Sequence, residues 1–253
     1  MPSRVITTSS FAATALLAAL LLTGCTPETD AAPTSAPHPR SHTTSPAPAP
    51  APRPTVPAAI GTSATATGAQ VAVYGAPDGA VVETLANPQP SGAPLTFLVA
   101  SGQGGWLQVD LAQRPNGSTG WVTADAVTLH SLVYSLRAST EQNTLTLLKN
   151  GTPVKTYSAA TGTGGTPTPH GSFYITELLQ PTNGGYGPYA FGLSAFSDVL
   201  SSFGGGPGQI GLHGTDDAAS IGHAASHGCI RLANPDITEL AGLLPLGTPI
   251  SIG

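Results

Sequence analysis

Turn chemistry constrains this chain more than any other feature. From Gly68 onward, β-branched and aromatic runs are cut short by A-P-D-G, N-P-Q-P-S-G and R-P-N-G-S-T-G, and the 31 glycines and 25 prolines are high for a helical protein. Such a pattern specifies short strands joined by tight turns, so the fold class is mainly β. Five strands are expected in a first small unit, at V-A-V-Y (71–74), V-V-E-T-L (81–85), L-T-F-L-V-A (95–100), W-L-Q-V-D-L (106–111) and W-V-T-A-D-A-V-T-L (121–129). Alone, a unit of this size would be marginally stable. Trp106 and Trp121 are expected in its core rather than along a peptide groove.

A second unit begins at His130 or Ser131. Strands are expected at 132–137, 144–149 and 154–159, with K-N-G-T (149–152) as a hairpin turn. In G-T-G-G-T-P-T-P-H-G-S-F-Y-I (162–175) glycine and proline fix a loop ahead of another strand, and His170 reads as a surface turn residue. Residues 184–208, rich in Gly, Tyr and Phe, read as an irregular loop. N-P-D-I-T-E-L-A-G-L-L reads as a helix with Asn234 as N-cap and Pro235 in its first turn, and T-P-I-S-I as a closing strand. Asp236 and Glu239 suit the positive end of that helix, a structural role that suffices for them.

The chain start has a different texture. Arg4 precedes an uncharged, mostly apolar run (11–22) of signal-peptide length, well short of the roughly 20 residues a spanning helix needs. It ends in L-T-G-C, which resembles a bacterial lipobox and implies a signal peptide over 1–24 and lipidation of Cys25. Residues 25–67, with S-P-A-P-A-P-A-P-R-P-T-V-P, hold almost nothing large and apolar and read as an extended tether. At about 3.1 Å per residue such a tether reaches on the order of 100 Å. The lipobox resemblance implies a protein outside the cytoplasm and anchored to the membrane. The net charge is −5 and no basic patch is visible, which argues against nucleic acid as a partner.

Reactive side chains concentrate in residues 210–232, I-G-L-H-G-T-D-D-A-A-S-I-G-H-A-A-S-H-G-C-I-R-L, which hold three of the seven histidines and one of the two cysteines. If Cys25 carries lipid, Cys229 has no disulfide partner. A thiol with a nearby imidazole is the minimal kit for covalent acyl transfer. His213 and His227 are both candidate bases: His227 is two positions from Cys229, whereas His213 would arrive from a separate element. Gly228 lets substrate approach the backbone, and the N–H groups of Gly228 and Cys229 are candidate oxyanion donors. Arg231 suits a substrate carboxylate or a loop tie. A metal site of His213, His223 and His227 with Asp216 or Asp217 is the rival reading, but H-x9-H-x3-H is not a common zinc spacing.

Two family resemblances follow from these motifs. G-G-W-L-Q-V followed by N-G-S-T-G-W-V resembles the SH3-like domains of bacterial cell-wall proteins, over 68–129. H-G-T, S-I-G and S-H-G-C-I-R-L-x-N, with T-P-T-P-x-G-x-F upstream and G-T-P-I-S-I downstream, resemble the L,D-transpeptidase (YkuD-type) catalytic domain, over 130–253. The second resemblance implies a YkuD-type β-sandwich and a peptidoglycan stem-peptide substrate cross-linked with release of D-Ala. It implies Cys229 as nucleophile, His213 as base and the Gly214 carbonyl orienting that base. It also implies that Ser226, His227 and Gly228 shape the nucleophile loop, with Arg231 at a substrate-binding position. No cofactor or metal is implied, and a monomer is expected. Where many relatives read I-G-x-P-x-S-H-G-C this chain reads I-G-H-A-A-S-H-G-C, which leaves His223 as an extra loop residue. An L,D-carboxypeptidase and a non-catalytic wall-binding protein are the alternative functions.

Overall fold

The computed structural model describes residues 60–253. The expected signal peptide, Cys25 and nearly all of the expected tether lie outside the described residues. What is described is mainly β with a single short α-helix among the described residues.

The first sheet is antiparallel and contains β1 (Gly61–Ala66), β2 (Gln70–Tyr74), β3 (Val81–Ala86), β4 (Thr96–Gln103), β5 (Trp106–Asp110), β6 (Thr119–Thr123) and β7 (Val127–Leu132). Its order is β3-β2-β6-β5-β4-β1-β7. Val71, Val73, Phe97, Leu107, Val109 and Val122 form its core. Two sequence expectations need correction here. Residues 61–66, expected in the tether, form β1, hydrogen-bonded to β4 on one side and β7 on the other. The tryptophans are half-buried on the opposite face, because Leu107 and Val109 take the inward positions of the period-two alternation. Trp106 instead makes an edge contact with Tyr74 at a centroid distance of 4.8 Å.

Only Val133 separates this sheet from the next, so the second unit starts later than His130. It comprises β8 (Tyr134–Ser139), β9 (Thr144–Lys149), β10 (Thr152–Gly162), β11 (Gly171–Leu179), β12 (Ala190–Phe196), β13 (Gln209–His213), β14 (Ala224–Ser226), β15 (Ile230–Leu232) and β16 (Pro249–Ile252), with α1 (Asn234–Ala241) between the last two. The order is β14-β10-β15-β13-β12-β11-β16-β8-β9, and β9 also pairs with β10, so the sheet wraps around one core. The β9–β10 turn is made by Asn150 and Gly151 at φ 51° and 77°, the left-handed pair a two-residue hairpin needs. Leu145, Phe173, Phe191, Leu212, Ile230 and Ile250 fill the core, and α1 covers it with Ile237 and Leu240. Asp236 and Glu239 of α1 pair with Lys155 of β10 at 3.4 and 2.5 Å.

Residues 184–208 are less irregular than their composition suggests. They contain β12, A-F-G-L-S-A-F, buried along its whole length. A strand covered on both faces has no polar alternation to show in its sequence.

The position of β1 is open to a direct test. Ala64 is 0 % exposed. Ala64→Asp places an unpaired carboxylate in a closed core and is expected to destabilise the chain by about 3 kcal/mol or more in urea unfolding. In a tether the same change would be silent.

Candidate active site

β13 divides its side chains between two environments. Ile210 and Leu212 turn into the core, while Gln209, Gly211 and His213 reach a cleft of about 370 Å³ whose floor Ile210 also borders. On the adjacent parallel strand β15, Ile230 and Leu232 enter the same core, and the loop just before Ile230 delivers Cys229 to the cleft. Gly211 lies between the two reactive side chains: a Cβ on it would meet His213 Cδ2 at 3.4 Å and Cys229 Sγ at 3.7 Å. Its N–H also donates to Cys229 Sγ at 3.3 Å. Thiol and imidazole therefore come from separate elements, a loop and a strand, and share the space above one glycine.

His213 is 3 % exposed, and its Nδ1–H donates to the Gly214 carbonyl at 2.5 Å. That bond selects the tautomer whose Nε2 lone pair is free to take a proton. Burial lowers the imidazole pKa to about 4; the Gly214 carbonyl opposes the shift and the Arg231 charge adds to it. Burial raises the Cys229 thiol above its ordinary value, while the Gly211 N–H and Arg231 pull it back. Both shifts favour a neutral thiol beside a neutral imidazole at rest.

The nucleophile loop is tied by Ser226, whose Oγ donates to the Cys229 carbonyl at 2.5 Å and accepts from the Gly228 N–H at 3.1 Å. Thr166, in the T-P-T-P segment, donates to the Ser226 carbonyl at 3.3 Å. Gly228 sits at φ 119°, a conformation that L side chains rarely adopt. Its N–H is already engaged by Ser226, so of the two amides considered as oxyanion donors Gly228 is occupied.

The other candidates disperse. His227 is exposed and its ring stacks on Phe203, at a centroid distance of 5.1 Å and 29° between planes. His223 is exposed and is held through its backbone alone: its carbonyl accepts from the Thr161 N–H and its N–H donates to the Ser220 carbonyl, both at 3.1 Å. His170 shares a surface hydrogen bond with Thr140 at 2.9 Å. Among the described residues no three His, Cys, Asp or Glu side chains converge on a point. Arg231 lies outside the cleft lining and beside Asp217 at 3.9 Å, so it acts on the pair through its charge rather than from the cleft wall.

Asn234 has a different role from the N-cap its sequence position suggests. Ala233 occupies the N-cap position without a side-chain bond. Asn234 Oδ1 instead accepts from the Thr215 N–H at 2.9 Å, and a Cβ on Gly187 or Gly214 would collide with it. Asn234 thus fixes the turn whose Gly214 carbonyl orients the base. Gly211, Tyr186 and Phe203 also escaped the sequence reading. Tyr186 packs its ring 4.7 Å from that of His213, and Phe203 lines the cleft. Only Gly211 had a local signal, a glycine within the apolar run I-G-L-H.

Two outcomes follow for the base. The unfolded imidazole binds a proton near pH 6.5 and the folded one only near pH 4. Stability from keeping His213 neutral is therefore complete above pH 6.5 and is lost as pH falls towards 4, by at most about 3 kcal/mol. Urea titrations at pH 7 and pH 4.5 should show this slope, and His213→Gln should flatten it. Asn234→Ala strands the Thr215 amide, and its expected cost is about 1–3 kcal/mol in the same assay.

Comparison with known proteins finds relatives of the second unit. The model of the YkuD family, described as an L,D-transpeptidase catalytic domain, matches residues 134–252. The YkuD protein of Bacillus subtilis strain 168 is 38 % identical over 123 residues, covering 49 % of this chain and 68 % of its own length. Its Bacillus licheniformis namesake is 39 % identical over 122 residues, covering 48 % and 67 %. Among solved structures, an L,D-transpeptidase from Mycobacterium tuberculosis H37Rv is similar over 56 % of this chain and 74 % of its own, at 18 % identity and a TM-score of 0.42. With two thirds of the Bacillus proteins matched at this identity, the chain belongs to the YkuD family of L,D-transpeptidase catalytic domains.

Proposed function

We propose that this protein is a peptidoglycan L,D-transpeptidase that forms cross-links by cysteine acyl transfer, held at the cell membrane by lipid on Cys25 and facing the wall. The observation that carries the reading is the pair Cys229 and His213, the histidine on β13 and the cysteine in the loop that leads into the adjacent β15, both facing one cleft. Family membership supports the same reaction class.

In this mechanism the Cys229 sulfur attacks the carbonyl between the third residue of a donor tetrapeptide and its terminal D-Ala, as Nε2 of His213 takes the thiol proton. Collapse of the tetrahedral intermediate breaks the C–N bond, and D-Ala leaves with the proton from His213. The amine of a second stem peptide then attacks the thioester and gives its proton to His213. The Cys229 sulfur departs and is reprotonated. The Cys229 amide donates to the oxyanion, since the Gly228 amide is held by Ser226. The first sheet is read as an SH3-like module, with the aromatic face of Tyr74 and Trp106 turned outward.

Intact-mass measurement after incubation with a donor tetrapeptide tests the assignment. The expected product is a covalent adduct on Cys229 with release of one D-Ala, and Cys229→Ala is expected to show neither. An adduct resolved by water even when acceptor amine is supplied would make the enzyme a carboxypeptidase. Cross-linking retained by Cys229→Ala would exclude the mechanism.

A further inference from the structure

The cleft wall formed by residues 197–208 is held from the first sheet. Arg114 and Asn116 sit in the connection between β5 and β6, far in sequence from what they bind. Arg114 donates from Nη1 to the Ser197 carbonyl at 2.6 Å, and from Nη2 to the carbonyls of Leu200 and Pro207 at 2.9 and 3.1 Å. Asn116 makes a two-point contact with Phe196: Nδ2 donates to its carbonyl at 2.7 Å, and Oδ1 accepts from its N–H at 2.9 Å. The guanidinium also lies 5.3 Å from the centre of the Phe196 ring.

These contacts gather at the neck of one loop. Ser197 and Leu200 belong to its entering limb and Pro207 to its leaving limb, and the Ser197 N–H donates to the Gly208 carbonyl at 2.9 Å. Gly208, at φ 73°, packs so tightly that a Cβ would strike the Leu200 carbonyl and meet Arg114 Nη2 at 3.0 Å. Beyond the neck, the Phe203–Gly206 bridge shapes the tip, which places Phe203 over His227. Phe203, Gly204, Gly206 and Pro207 face the same cleft as Cys229 and His213. A segment with three consecutive glycines holds its shape poorly by itself, so contacts that fix its neck set the position of that wall.

We propose that Arg114 and Asn116 are positioning residues for the acyl-transfer reaction, and that the first sheet works in cis as a clamp on the substrate wall of the second. This rests on the cysteine acyl-transfer reading of the cleft. Neither residue touches the reacting pair, so the clamp governs donor capture and leaves the thiol and its base unchanged. Arginine is suited to the role because one planar guanidinium reaches three carbonyls at once, which a lysine ammonium cannot reproduce.

The test uses the full chain with Arg114→Ala, Arg114→Lys and Asn116→Ala, read by amide hydrogen exchange and by steady-state kinetics on a donor tetrapeptide. Exchange in residues 197–208 is expected to accelerate about tenfold or more while the amides of β9 and β13 keep their rates. KM is expected to rise about tenfold with kcat changed far less, Arg114→Lys falling between wild type and alanine. Alkylation of Cys229 by iodoacetamide should not slow, which reports an intact thiol. Unchanged exchange in 197–208 would overturn the clamp, and faster exchange with unchanged KM would overturn its positioning role. Should Arg114→Ala unfold the chain, Asn116→Ala carries the same two readouts. Phe203→Ala, which removes the wall and spares the neck, is expected to raise KM without faster exchange at Ser197. Wild-type protein that consumes no tetrapeptide would fail the functional reading and with it the positioning role, while exchange would still decide whether the clamp exists.

Discussion

The chemistry of the cleft depends on one carbonyl. Gly214 has to offer its oxygen to His213 Nδ1, since that bond leaves Nε2 unprotonated and aimed away from the backbone. A backbone acceptor stands where many hydrolases use a carboxylate, so the base gains orientation without a neighbouring negative charge. The turn must then be rigid by other means. Asn234 from the start of α1 holds its next amide, and Gly187 and Gly214 are compact enough to let that side chain in. The helix therefore serves the base through a single side chain as well as covering the core.

Charge balance around the pair follows from the same economy. Arg231 pairs at 3.9 Å with Asp217 and lies on the strand that directly follows the nucleophile. Its field favours the thiolate and disfavours the imidazolium. Full ionisation at rest would need the opposite for the histidine. Under the proposed mechanism this arrangement calls for the proton to move together with attack of the sulfur on a carbonyl.

Much of this was legible in the sequence because it is local. K-N-G-T forms the β9–β10 turn, residues 144–149 form β9, and I-G-L-H shows the alternation that splits core from cleft. What was not legible depends on partners distant in the chain. β1 has the Thr, Ser and Ala composition of the preceding tether, and those small side chains are what allow it to pack between two strands, with Ser63 close against Gly247. Asn234 looked like a helix cap because its true partner is Thr215. Arg114 and Asn116 looked like turn residues because R-P-N-G is turn chemistry, and nothing near them mentions residues 196–207. The outward tryptophans were readable in retrospect: Gln108 and Asp110 share the face of Trp106, and that face is not a core.

The upward shift of the Cys229 thiol has a consequence beyond the proposed acyl transfer. Peroxide and related oxidants attack thiolates, and sulfenic acid formation follows thiolate fraction and access. Cys229, partly exposed at the cleft, is the free cysteine of the described residues, and desolvation of its thiol favours the protonated form. A protonated thiol is slow to oxidise, and under the proposed mechanism it turns nucleophilic when a carbonyl is seated over Gly211 with His213 beside it.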